Sequence, residues 1–224
     1  VVRRAMEASS LRRENKELKQ KDIVEYEIKG ESTIFRNLVS SLDKVSKANS
    51  RVLITGSSGS GKEISARYIH ENSKYSAGNF VVINCSISGQ GELDRMLFGA
   101  ESKNGLQEAG ALEKANGGTI YLDEVSEMPL DLQGKLLKFL VEKTISRPGS
   151  NIRLDVDIRV ISSTNSDLTE KIKSKKFRED LFHRLNVVPI KIPGLSERID
   201  DIPILAKYFV EKLSSSNGFV HREF

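Results

Sequence analysis

Apolar residues recur at helical spacing from 34 to 48, at Ile34, Phe35, Leu38, Leu42 and Val45, and predict an amphipathic helix. A short β-branched run, RVLIT at 51–55, follows; glycines interrupt it at once, and a second helical stretch spans 62–71. FVVINC (80–85), TIYLDE (119–124), IRVISST (158–164) and NVVPIKI (186–192) are further short apolar runs, with helix-like segments between them. Strands that alternate with helices predict an α/β fold, a parallel sheet covered on both faces as a three-layer α/β/α sandwich. After PGL at 193–195, DDIPILAKYFVEKL (200–213) predicts a helix that SSSNG (214–218) ends. The pattern divides the chain into a linker helix (1–28), an α/β unit (29–194) and the start of a helical subdomain (195–224).

The first 22 residues contain neither Gly nor Pro, and Ala8, Leu11, Asn15 and Leu18 fall on a and d places of a heptad. Asn at an a place fixes register in a two-stranded coil. Two heptads fit a solvated linker helix and a dimerising one equally well.

Composition narrows the chemistry. The chain has 35 basic and 31 acidic residues, a net +4, which is too mild for a nucleic-acid footprint by itself. A single cysteine, Cys85, excludes an internal disulfide and any multi-cysteine zinc site, and fits a reducing, cytoplasmic setting. The apolar run around Cys85 predicts a buried strand residue. His70, His183 and His221 share no ligand-like spacing. No apolar run reaches the ~18 residues of a membrane span.

GSSGSGKE at 56–63 carries the sharpest signal. Gly56, Gly61 and Lys62 satisfy G-x-x-x-x-G-K, and a strand leads in while a helix leads out. In such a loop the backbone N–H groups of Gly56, Ser57, Ser58, Gly59, Ser60 and Gly61 turn inward on phosphate oxygens, helped by the helix dipole. Lys62 reaches the β- and γ-phosphates of ATP. Glu63 stands where Ser or Thr usually ligates Mg²⁺, so any metal role there passes to a carboxylate. TIYLDE supplies Asp123 at a strand end for Mg²⁺, and Glu124 to polarise a water. STN at 163–165 puts Asn165 at the end of another strand, where ligand crevices of α/β sheets lie. FREDLFHRLN (177–186) holds Arg178 and Arg184, six apart; they fit surface arginines or a pair acting on a neighbouring subunit.

Together these segments resemble the AAA+ domain of NtrC-type bacterial enhancer-binding proteins. The similarity spans 29–213 through KGES (29–32), GSSGSGKE, FVVINC, LFGAE (97–101), ALEKANGGTIYLDEVSEMPLDLQGKLLKFL (111–140) and FREDLFHRLNVVPIKIPGLSERIDDIP (177–203). The resemblance implies a ring, a hexamer or heptamer, with ATP at each subunit boundary. By motif position it makes Asn84 a switch that holds Glu124, Asn165 the sensor I residue, and Arg178 and Arg184 an arginine-finger pair. It places residues near Ile28 and Gly30 by the adenine. Glu63 is usual in that family.

One segment departs from the family. Members that remodel sigma-54 RNA polymerase carry GAFTGA after LFG-x-E, whereas 101–112 read ESKNGLQEAGAL, shorter and without the Phe-Thr tip. That departure argues against contact with sigma-54. It points to the NtrX branch of the family, as do GALEKANGG, YLDEV and RVISST. The branch implies a receiver domain, a DNA-binding domain and an NtrY-like sensor histidine kinase as neighbours, all outside this chain. Three functions follow as expectations. The first is an ATP-binding module whose nucleotide sets self-association and DNA-dependent regulation. The second is a sigma-54 activator that hydrolyses ATP to open promoters. The third is a non-catalytic dimerisation scaffold.

Overall fold

The computed structural model describes residues 28–86, 91–101, 107–146 and 153–217. The heptad segment before Ile28 and the stretch 102–106 of the shortened loop lie outside the described residues. Strands β1 (Val52–Thr55), β2 (Phe80–Asn84), β5 (Thr119–Asp123), β8 (Arg159–Thr164) and β9 (Val188–Lys191) form a parallel sheet in the order β2-β5-β8-β1-β9. Each lies within an apolar run named above, and β8 is buried along its whole length. Pro189 is confined to the edge strand β9, where a missing N–H costs no ladder bond.

Alternation along the strands sorts side chains to two faces. Val52, Ile54, Tyr121, Ile161 and Ile190 meet Phe35, Leu38, Leu42 and Val45 of α1 (Thr33–Lys47) and Ala66 and Ile69 of α2 (Lys62–Glu71). On the other face Leu53, Ile83, Ile120, Leu122 and Val160 pack against five helices. These are α3 (Glu92–Phe98), α4 (Ala111–Lys114), α5 (Leu130–Glu142), α6 (Leu168–Lys173) and α7 (Glu179–Leu185). This is the three-layer α/β arrangement that the apolar pattern predicts.

The ends of α1 are closed by groups far apart in kind. Ser32 caps the start, its Oγ accepting from Phe35 N at 3.2 Å. At the other end the Arg159 guanidinium, 1% exposed, donates to Val45 O at 2.7 Å and Ser46 O at 3.0 Å. A helix C-terminus carries unpaired carbonyls and partial negative charge, which suits a buried cation. Near the base of the sheet the backbone runs too close for side chains. A Cβ on Gly118 would meet Asn79 O at 2.2 Å, so the turn into β5 admits only glycine there.

Two features were not legible from the pattern. Short antiparallel ribbons, β3 (Ala100–Glu101) with β4 (Gln107–Glu108) and β6 (Thr144–Ser146) with β7 (Arg153–Asp155), stand outside the main sheet. The last helix, α8 (Ile202–Asn217), runs through the serines expected to end it. Serine is only mildly unfavourable in a helix, and no glycine intervenes before 218. Among the described residues no helix is long and apolar enough to cross a membrane.

Candidate nucleotide site

The carboxyl ends of β1, β5 and β8 carry the polar residues singled out above. The loop 56–61 leaves β1 at Thr55, tied to β8 by Gly56 N donating to Thr164 O at 3.3 Å. Gly59 and Gly61 have φ of +75° and +101°, and a Cβ added at either would meet nothing within 4 Å. Both bends are left-handed, which glycine adopts without strain, while the Lys62 ammonium lies against the start of the loop. Helix α2 starts directly at Lys62, with no side-chain cap on its first turn. The loop's concavity and the bare helix start are the makings of an anion cradle.

Lys62 is 7% exposed, and its Nζ donates to Gly56 O at 3.1 Å and Ser57 O at 3.3 Å. It also pairs with Glu124 Oε1 at 3.1 Å. Glu124 itself has φ 51° and ψ 51°, a left-handed conformation that costs a non-glycine residue of order 1–3 kcal/mol and clusters at functional sites. Its Oε2 accepts the Asn165 N–H at 2.9 Å, so this carboxylate spans loop and β8 end. Asp123 Oδ1 accepts from Ser163 Oγ at 2.5 Å and Tyr121 Oη at 2.9 Å. Its Oδ2 has no hydrogen-bond donor among the described residues.

Other predicted residues stand apart from this cluster. Asn84 pairs in register with Asp123, but its Oδ1 accepts from Ser86 N at 2.8 Å and leaves Glu124 alone. The Asn165 side chain accepts from Ser166 Oγ at 3.1 Å, so only its backbone reaches Glu124. The Glu63 carboxylate takes a two-pronged contact from Arg67, at 2.8 and 3.0 Å. Arg178 is clamped on Asp180, which draws that carboxyl below its ordinary range. Arg184 is exposed near the end of α7, close enough to Arg51 to depress its pKa after burial has done most of that work. Neither arginine hydrogen-bonds to the loop or its acids among the described residues. Cys85 is buried as expected, and burial, then Asp123 and Glu124, push its thiol up to about 12.

Beside the loop opens a pocket of about 250 Å³, mostly apolar, with Lys29, Arg198 and Lys212 also on its walls. Ile28, Phe35, Ile64, Ile192, Leu205 and Tyr208 line it, with Ser60 and Gly61 of the loop at its edge. Two residues that sequence reasoning missed hold its walls together. Asp201, fully buried, accepts from Glu31 N at 2.7 Å, Ser32 N at 2.8 Å and Ser32 Oγ at 2.8 Å. Burial opposes its charge, yet the Ser32 and Glu31 donors prevail and hold the carboxyl below its ordinary value. Arg198 Nη2 donates to Ser60 O at 3.2 Å while its guanidinium lies 5.6 Å from the Phe35 ring centroid. Gly30 fits here for a steric reason, because a Cβ would strike the Phe35 ring at 2.6 Å.

Comparison with known proteins agrees with the cluster. Residues 28–191 match the model of the sigma-54 interaction domain family. The nitrogen assimilation regulatory protein NtrX of Azorhizobium caulinodans is 46% identical over 224 residues, covering 100% of this chain and 49% of that protein. Crystal structures of NtrX from Brucella abortus superpose with TM-scores of 0.87 (in complex with ADP) and 0.83 (in complex with ATP), both at 41% identity. The first covers 100% of this chain and 51% of the other, the second 97% and 50%. The chain thus spans about half the length of the relatives it matches. With its parallel sheet, phosphate-type loop and strand-end acids, the chain belongs to the sigma-54 interaction domain family, the AAA+ P-loop domain of NtrX- and NtrC-like response regulators.

Proposed function

We propose that this chain is the ATP-binding module of an NtrX-like two-component transcription regulator, in which nucleotide sets self-association and thereby DNA-dependent regulation. The observation that carries the reading is the loop 56–61: its left-handed glycines lead straight into an uncapped helix start, and the Lys62 ammonium is held between the loop and Glu124. Nucleotide-bound crystal structures of a 41% identical NtrX support the same reading.

The residues present fit both ATP and its cation. Backbone N–H groups of Ser57, Ser58, Gly59 and Gly61 and the Lys62 ammonium would bind the phosphates, while those of Gly56 and Ser60 are already bonded to Thr164 O and Ser57 O. The apolar pocket between Ile28 and Tyr208 takes the base, with stacking surface from an aromatic ring and β-branched side chains. Mg²⁺ prefers a few carboxylate oxygens plus phosphates and waters to an all-protein cage. One free oxygen on Asp123 suits that habit. The Glu63 carboxylate is close enough to raise the Tyr121 pKa further, and would reach the cation by leaving Arg67. When bound, Mg²⁺ neutralises phosphate charge. Glu124, if released from Lys62, would hold a water in place through its carboxylate. Family position gives Asn84, Asn165, Arg178 and Arg184 further roles, for which the first three would leave Ser86 N, Ser166 Oγ and Asp180, the arginines acting on a neighbouring copy. Helix α8 is the first helix of a lid subdomain.

In the whole regulator, a receiver domain addressed by a sensor histidine kinase and a DNA-binding domain complete the device. Molar mass by light scattering, with and without ATP and Mg²⁺, tests the reading. Nucleotide increases the mass of the wild-type protein and leaves Lys62→Ala unchanged; equal masses in all states overturn it. A second reading, hydrolysis that drives promoter opening at sigma-54 promoters, is favoured by the Glu124 bridge between Lys62 and Asn165 N. Single-turnover phosphate release that disappears in Glu124→Ala supports hydrolysis, and promoter opening by the full-length regulator decides the rest.

A further inference from the structure

Period-two alternation puts Tyr121 and Asp123 on one face of β5, and Ser163 on the matching face of the neighbouring β8. There the two hydroxyls converge on a single carboxylate oxygen. Ser163 Oγ donates to Asp123 Oδ1 at 2.5 Å, a charge-assisted O–H···O⁻ length. Tyr121 Oη lies 2.9 Å from the same Oδ1 and 2.9 Å from Ser163 Oγ, sharing its proton between them. Ser163 Oγ in turn accepts the Glu124 N–H at 3.3 Å. One serine hydroxyl therefore touches the side chain of one acid and the backbone of the next.

Both groups are fully buried. The Tyr121 ring is fixed by a stacked Phe80 at 6.0 Å between centroids. A tyrosine that only filled the core would need one partner for its hydroxyl. Here the proton is spent on the acid at the strand end and on the hydroxyl that already serves it.

We infer that Tyr121 and Ser163 are positioning residues for the nucleotide's magnesium ion: their hydroxyls pin Oδ1 of Asp123 and the Glu124 backbone, leaving Oδ2 of Asp123 as the cation's ligand. The inference rests on the nucleotide-site reading above and extends it to residues outside the loop and its acids. Groups that orient a metal ligand are commonly worth about 10- to 100-fold in metal affinity or activity. Ser163 makes the shorter bond and serves both acids, so its removal has the larger effect.

The test is binding of a fluorescent ATP analogue across a Mg²⁺ titration, with a parallel measurement in EDTA. Ser163→Ala requires about 10-fold more Mg²⁺ to reach the half-point of the magnesium-dependent gain in binding. Tyr121→Phe, which keeps the ring on Phe80, shifts the half-point the same way by about 3-fold, the size of a shared hydrogen bond. Affinity in EDTA is unchanged in both. Ser162→Ala, whose hydroxyl donates to Val52 O at 3.3 Å, keeps the wild-type half-point. Wild-type half-points in Ser163→Ala and Tyr121→Phe overturn the inference, as does an equal loss with and without Mg²⁺. A wild-type protein that binds nucleotide with no response to Mg²⁺ removes this inference and leaves the phosphate cradle standing; one that binds no nucleotide removes both.

Discussion

The two walls of the cradle are built on different principles. On the strand side, Lys62, Asp123, Glu124 and Asn165 lie at the ends of adjoining parallel strands or one loop away, and hydrogen bonds between neighbours hold them. On the α8 side, the apolar pocket is closed by pairings that cross most of the chain. Asp201 meets Ser32 at a separation of 169 residues, and Arg198 meets Ser60 at 138. The strand wall is therefore as rigid as the sheet. The other wall depends on one buried carboxylate and one guanidinium.

Removing the carboxylate should separate the walls most strongly. Asp201→Ala leaves two buried donors of Ser32 and the part-buried Glu31 N without an acceptor and should cost about 3 kcal/mol. Chemical denaturation measures it, and an unchanged midpoint would show the strap at 28–32 to be held by something else. The same carboxylate gives a pH signature. Its folded form titrates below the ordinary 3.8, so its contribution is whole above about pH 4 and is lost as falling pH protonates the folded group. The stability gap between wild type and Asp201→Asn should stay flat from pH 7 to 5 and narrow below 4. Arg198→Ala should weaken ATP by about 5-fold through one hydrogen bond and a ring contact, with little effect on the strand-side acids. Arg67→Ala, which removes a part-buried i,i+4 partner of Glu63 and a guanidinium 4.7 Å from the Phe80 ring centroid, should lower stability by about 1 kcal/mol.

The same contrast explains what the sequence disclosed. Strand-side residues were legible because a loop pattern and apolar runs are local signals, and the polar residues close those runs. Tyr121 and Ser163 were within reach, since a residue two places before a strand-end acid shares its face. Asp201 and Arg198 gave no such signal: an acid in a run of acids and an arginine in a polar turn gain meaning only once the chain has folded back on Ser32 and Ser60. Asn84 and Glu63 show a further limit. Their positions were legible and their partners, Ser86 N and Arg67, are close in sequence, but that the side chains take these partners and do not face the cradle follows from rotamers.

Calorimetric titration of ATP with Mg²⁺ into the wild-type protein and Lys62→Ala tests the central claim most directly. Saturable binding by the wild type, weakened about 30-fold or more when the buried ammonium is removed, is the predicted result. Equal heats and equal affinity in both proteins would contradict a triphosphate site at 56–62.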